Sequence, residues 1–101
     1  MKIVKTKNKK RIKSSLLQNG DFLENCISIA KSAGIYNVHF VFRIVAENGQ
    51  MIMQNEHYYE CLRAIDNLKD LGARTDDLCI SLVATDFTGP KCITIVDDIE
   101  Y

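Results

Sequence analysis

Between two alternating apolar runs stands Asn48-Gly49, and no other pair of residues constrains this chain as tightly. A two-residue type I′ turn needs positive φ at both central positions, which Asn and Gly tolerate best, and it sends the chain straight back on itself. Before the pair, Phe40, Phe42, Ile44 and Ala46 alternate with Val41, Arg43 and Val45, the period of a half-buried strand. After it, Met51, Ile52 and Met53 return. Counting outward from the turn sets Ala46 against Met51, Val45 against Ile52 and Ile44 against Met53. One face then collects Phe40, Phe42, Ile44, Ala46, Met51 and Met53, which is a core. The other holds His39, Val41, Arg43, Val45 and Ile52. That mixture is either a patch covered by another element or a second copy, or a few scattered surface valines.

Helical spacing appears on both sides of this hairpin. Asp21 with Glu24 three residues on makes a capping-box pattern. Phe22, Leu23, Cys26, Ile27, Ile29, Ala30 and Ala33 follow as an apolar stripe that Gly34 ends. After the hairpin, Asn55 is the expected N-cap of a helix whose Tyr58, Cys61, Leu62, Ile65 and Leu68 share a face, ending by Gly72. Asp66 and Asp70 lie off that face and read as solvated. A second hairpin is expected from Leu78, Ile80 and Leu82 against Ile93 and Ile95. Like faces meet when Ile80 pairs with Ile95 and Leu82 with Ile93, leaving Thr85 to Pro90 as the loop.

The expected fold is therefore α+β, in the order α-β-β-α-β-β. Helices Asp21–Ala33 and Tyr58–Leu71 pack on one face of an antiparallel sheet of Asn37–Ala46, Met51–Gln54, Leu78–Ala84 and Lys91–Val96. A short strand at Ile3 and Val4, a frayed stretch to Lys13 and a connector from Ser14 to Gly20 precede it. At 101 residues the chain makes one domain, residues 14–101, behind a basic arm, residues 1–13. No apolar run approaches the roughly 18–20 residues needed to cross a bilayer. The basic start is not followed by an apolar signal region, so the expected location is the cytoplasm, with no membrane partner.

Cys26, Cys61, Cys79 and Cys92 are scattered inside apolar-periodic segments, with no C-x-x-C pair and no histidine at ligand spacing. They are expected to be reduced thiols, not disulfides or zinc ligands. The derived register sets Cys79 across from Val96 and Cys92 across from Val83. No metal, cofactor or small-molecule substrate is expected. The chain has no phosphate loop, no G-x-S-x-G and no H-E-x-x-H, so no catalytic residue is assigned.

Charge is unevenly spread along a chain of formal net charge +0. Seven of the thirteen basic residues lie in the first thirteen positions, and residues 14–101 sum to −7. Such an arm reaches for nucleic acid through Lys7, Lys9, Lys10, Arg11 and Lys13, or folds back on the acidic body, or is a solvated tail. At the other end Asp97, Asp98 and Glu100 make an acidic tail, and Phe87 tops the loop of the second hairpin.

One segment resembles a known family. Phe42-Arg43-Ile44-x-Ala46-x-Asn48-Gly49-x-Met51-Ile52-Met53, then Glu56-x-Tyr58, then Ala64 and Leu68, is similar to the repeat of the YegP-like family, a small domain of unknown function. The resemblance covers Phe42–Leu68. It departs from the family at Asn55 (a serine there), at Tyr59-Glu60-Cys61 (a Ser-Lys helix entry) and at Asn67 (a glycine). It implies a small α+β module without an agreed activity, often repeated in tandem or paired with a second copy. Leu78 to Val96 would stand where a next repeat begins.

Together these readings lead to an expected non-catalytic protein-interaction module, in one form a small inhibitor or regulator. It would act through its acidic surface (Asp97, Asp98, Glu100), through Phe87, Val41, Arg43 and Val45, or through a sheet edge, on a protein partner or on itself as a homodimer. The alternatives are a nucleic-acid binder using the basic arm and a small enzyme without a recognisable motif.

Overall fold

The computed structural model describes residues 10–101. In chain order these form strand β1 (Arg11–Lys13), a 3-10 turn (Ser14–Gln18), helix α1 (Gly20–Ser32), strands β2 (Val38–Ala46) and β3 (Met51–Asn55), helix α2 (Tyr58–Asp70), and strands β4 (Leu78–Asp86), β5 (Cys92–Val96) and β6 (Asp98–Glu100). The expected α+β fold is the one observed. The four long strands form an antiparallel sheet in the order β3-β2-β4-β5, and β1 pairs with β6 in a separate parallel ribbon. The expected strand at Ile3 and Val4 lies outside the described residues.

β2 and β4 are the longest strands and occupy the centre, in register from Val38 against Asp86 to Ala46 against Leu78. Their inward side chains, Ile44, Ile80, Leu82 and Ala84, are buried, and Phe40 and Phe42 pack beside them. Both helices lie on this face. Cys26 and Ala30 of α1 and Tyr58 and Cys61 of α2 complete the core. Each helix ends in the same device. Ile35 N–H donates to Ala30 O (3.0 Å) and Ala73 N–H to Leu68 O (2.9 Å), with Gly34 and Gly72 at φ near +90° between them. A side chain at either glycine would be strained, because the left-handed region crowds a Cβ.

The caps differ from expectation by a residue or two. Asn19, not Asp21, caps α1: its Oδ1 accepts from Phe22 N–H at 3.0 Å. Asp21 sits in the first turn, where a carboxylate suits the positive end of the helix dipole. His57 holds the N-cap position of α2 without a side-chain bond, and Asn55 Oδ1 accepts from His57 N–H at 2.8 Å just outside the helix.

Both hairpin registers shift. At Asn48-Gly49 the loop has three residues, because Gly49 N–H donates to Ala46 O (2.8 Å) and Ala46 N–H to Gln50 O (2.9 Å). With Gly49 at φ +90° this is a turn closed by a glycine bulge, an alternative that Asn-Gly serves equally well. Ile44 still pairs with Met53, but Val45 pairs with Met51, so Ile52 is left over as a bulge. Met51 therefore moves off the expected core face and is 52% exposed. In the second hairpin Ala84 pairs with Ile93 and Thr85 with Cys92, two positions from the expected pairing, and past a bulge at Leu82/Val83 Leu82 pairs with Val96, three positions from it. A slip of two keeps side chains on their faces, so face matching could not detect it, and the bulge then carries Val96 onto the core face opposite Leu82. The deciding contacts are in the turn. Asp86 Oδ1 accepts from Thr88 N–H and Oγ1 (both 3.0 Å), and Gly89 N–H donates to Asp86 O (3.2 Å).

The largest departure concerns the chain ends. Lys10 to Lys13 is not a free arm but runs parallel to the acidic tail, pairing Arg11 with Asp98, Ile12 with Ile99 and Lys13 with Glu100. β1 runs directly into the 3-10 turn. Arg11 Nε lies 3.0 Å from Asp98 Oδ2 and 3.2 Å from Glu100 Oε2, and Lys13 Nζ lies 3.8 Å from Glu100 Oε1. Beneath the charges, Ile99 is buried at 4% exposure and Ile12 packs on the same core. Cutting the chain after Lys13 would remove a core residue along with the arm.

Apolar packing should therefore outweigh charge in this ribbon. Ile99→Ala is expected to cost about 2–5 kcal/mol of folding stability by urea denaturation, as buried Ile truncations do. Arg11→Gln should cost at most about 1 kcal/mol, because Arg11 is mostly exposed. The reverse order would show that the ion pairs, not Ile99, hold the ends together.

Candidate functional site

The face of the sheet opposite the helices gathers most of the expected contact residues. β2 places His39, Val41, Arg43 and Val45 there, and β4 sets Thr85, Val83, Ser81 and Cys79 against them in that order. Val41 and Val83 form the centre and are buried at 3% and 1% exposure. Val41 is therefore floor and not contact surface, contrary to expectation. Arg43 and Val45 are half-buried. Arg43 Nε donates to Gln54 Oε1 of its β3 neighbour at 2.7 Å, which fixes the guanidinium along the sheet.

Phe87 joins this face from the β4–β5 turn. Its N–H donates to Asn37 O at 2.8 Å, and its ring meets His39 edge-on at 5.7 Å. The ring remains 76% exposed. His39 Nε2 also lies 3.5 Å from Glu56 Oε2, so one imidazole touches the β4–β5 turn and the β3–α2 connection. A polar hollow of about 510 Å³ opens beside His39, Gln54, Glu56 and His57.

The acidic residues do not act as one surface. Asp97 borders a shallow hollow of about 300 Å³ with Val45, Glu47, Asp76 and Asp77, at the opposite end of the face from Phe87. Its carboxylate accepts from Lys10 N–H (3.0 Å), and its carbonyl accepts from Ser81 Oγ (2.8 Å). Asp98 and Glu100 sit apart in the ribbon, engaged by Arg11 and Lys13. Of the expected nucleic-acid contacts, Lys10, Arg11 and Lys13 lie in or next to β1, and Lys7 and Lys9 lie outside the described residues. The side-chain hydrogen bond from Arg74 (2.7 Å) draws Asp76 below the usual carboxylate range.

Residues missed by sequence reasoning lie along β3. Met51 and Ile52 are 52% and 45% exposed on the outermost strand of the sheet. Met51 is expected on the core face and the bulge turns it out, whereas Ile52 is expected on the mixed face. Among the described residues no group of three or more His, Cys, Asp or Glu is placed to hold a metal ion. No helix there is long and apolar enough to cross a membrane. Comparison with protein-family models, curated proteins and solved structures finds no match to this chain.

Three buried ionisable groups stand away from this face. Burial pushes the Cys26 and Cys61 thiols up, and burial likewise pushes the Tyr58 phenol up, with the Ser14 hydroxyl pulling the other way. All three resist ionisation in the folded chain and ionise more readily in the unfolded one. Stability is therefore full at neutral pH and declines as pH rises past the ordinary thiol value of about 8.5 and the ordinary phenol value of about 10. Melting curves from pH 7 to 11 should fall monotonically. At pH 8, exposed Cys92 should react with a thiol reagent well before Cys26 and Cys61. Equal rates for the three would contradict the packing.

Proposed function

We propose that this chain is a non-catalytic protein-interaction module, in the manner of a small inhibitor or regulator, that adds a partner's strand to the outer edge of β3. The observation that carries the reading is the edge itself. Among the described residues β3 is paired on one side only, by β2, has neither charge nor proline among Met51–Asn55, and exposes Met51 and Ile52. Strands that are not meant to pair are commonly blunted by charge or proline, and an unblunted edge is a template for β-augmentation. Arg43, Val45 and the Phe87 ring lie on the adjacent face and supply side-chain contacts around such a strand. The resemblance to the YegP-like family falls on the β2–β3–α2 unit and implies a small α+β module without an agreed activity. Reduced thiols fit a cytoplasmic setting.

The charge arrangement favours this reading over nucleic-acid binding. Arg11 and Lys13 are neutralised by Asp98 and Glu100 and offer little to a phosphate backbone. The acidic tail is engaged for the same reason, which shifts the proposed contact from Asp98 and Glu100 to β3.

A photo-crosslinker at Gln50, next to β3, would identify the partner in lysate, and the purified partner would then be titrated against wild type and M51K/I52K. The double variant should lose at least tenfold in affinity, about 1.4 kcal/mol. Its folding stability should change by no more than about 0.5 kcal/mol, as for surface substitutions. Binding untouched by the double substitution, or abolished by nuclease, would overturn the proposal and favour the basic amino-terminal segment.

A further inference from the structure

Resting on the reading of β3 as a docking edge, we infer the chemistry of its occupant: a strand of another protein with an uncharged centre of about five residues and basic residues on both flanks. The length follows from β3 itself, Met51–Asn55, whose exposed side chains are apolar or amide. The flanks follow from what stands at either end. Glu47, exposed in the turn, precedes β3, with Asp76 and Asp77 sharing its hollow. Glu56 follows β3, with its side chain 64% exposed.

Among the described residues few cations offset these carboxylates. Arg74 pairs with Asp76, and the Arg43 guanidinium is held by Gln54. His39 Nε2 lies 3.5 Å from Glu56 Oε2, and His57 borders the same hollow. An antiparallel strand on this edge places its carboxy-terminal flank beside Glu47 and its amino-terminal flank beside Glu56. Lysine or arginine at both flanks meets unlike charge at both ends, whereas acidic flanks meet like charge.

The same placement disfavours a second copy. Two β3 edges paired antiparallel about Met53 set Gln50 against Glu56 of the other copy. Each Glu56 then stands beside the turn that carries the other copy's Glu47. Acidic ends therefore meet like charge at both halves of the interface.

Two synthetic peptides test the inference against the full chain. Both have the same five-residue Thr/Val/Ile centre, one flanked by two lysines at each end and the other by two glutamates. At about 50 mM salt the lysine peptide should bind at least tenfold tighter, and at about 500 mM the gap should shrink below threefold. Amide exchange should slow at Ile52 and Gln54 in its presence. E47K/E56K, checked for native circular dichroism, should reverse the preference. Equal binding of both peptides at β3 would refute the charge rule and leave the interaction module standing. Dimerisation through β3 without peptide would refute the choice of occupant. If neither peptide protects β3 and M51K/I52K leaves the crosslinked partner's binding unchanged, the module reading itself fails.

Discussion

The pairing of β2 with β4 is the constraint on which the rest of this molecule depends. It joins two strands separated by a hairpin return and a whole helix, and it alone brings the two hairpins into one sheet. Once Val38 faces Asp86 and Ala46 faces Leu78, the apolar sides of both hairpins point the same way. Ile44, Ile80, Leu82 and Ala84 then form one floor for both helices. A slip of one residue here would turn the outward side chains of one strand into the helix layer, and if that strand were β2 it would put the Arg43 guanidinium in the core. The double-sided apolar character of these strands, with Val41 and Val83 buried on the far face, fits their central position. β3 and β5, at five residues each, are left as the edges.

The second organising element is electrostatic in appearance and apolar in substance. The ribbon of β1 and β6 shows solvent a row of alternating charges, while Ile12 and Ile99 turn inward between the helices and the sheet. Exposed ion pairs such as Arg11 with Asp98 contribute little each, but they neutralise both strands so that neither repels itself from the core surface. The asymmetry visible along the sequence is thus partly cancelled in space. What remains is a described body that is net acidic, with Glu47, Asp77 and Asp97 around one hollow and Asp76 there paired with Arg74.

Legibility in the sequence followed the reach of each signal. Periodicity of two and of 3.6 residues marked four strands and two helices, because each is long enough to repeat its pattern. Turn chemistry marked where the chain reverses but not how. Asn48-Gly49 suits a two-residue and a three-residue loop, and the hydrogen bonds of Ala46 decide between them. The second hairpin slipped by two because face matching has that period, although Asp86 and Gly89 already carried the turn's own signature. Three-residue strands such as β1 and β6 have no period to read, and their charges resembled solvated tails. For the candidate site, Arg43, Val45 and Phe87 were found because alternation and loop position reveal exposure. Met51 was missed because a single bulge reassigns the side chains between it and the turn.

The ribbon also dictates an order of events when the chain is made. Ile12 has no strand partner until Ile99 exists, eighty-seven positions later. Everything between, including the β2–β4 sheet and both helices, is able to assemble first from contacts that span shorter loops. During synthesis one end of the core stays uncovered until β6 has left the ribosome. Joining segments so distant carries a loop-closure cost that grows only slowly with length, so the delay is kinetic rather than a standing penalty on the finished fold. Loss of β6 would thus leave an assembled sheet with its core open at one side, a species that chaperones and proteases are built to recognise.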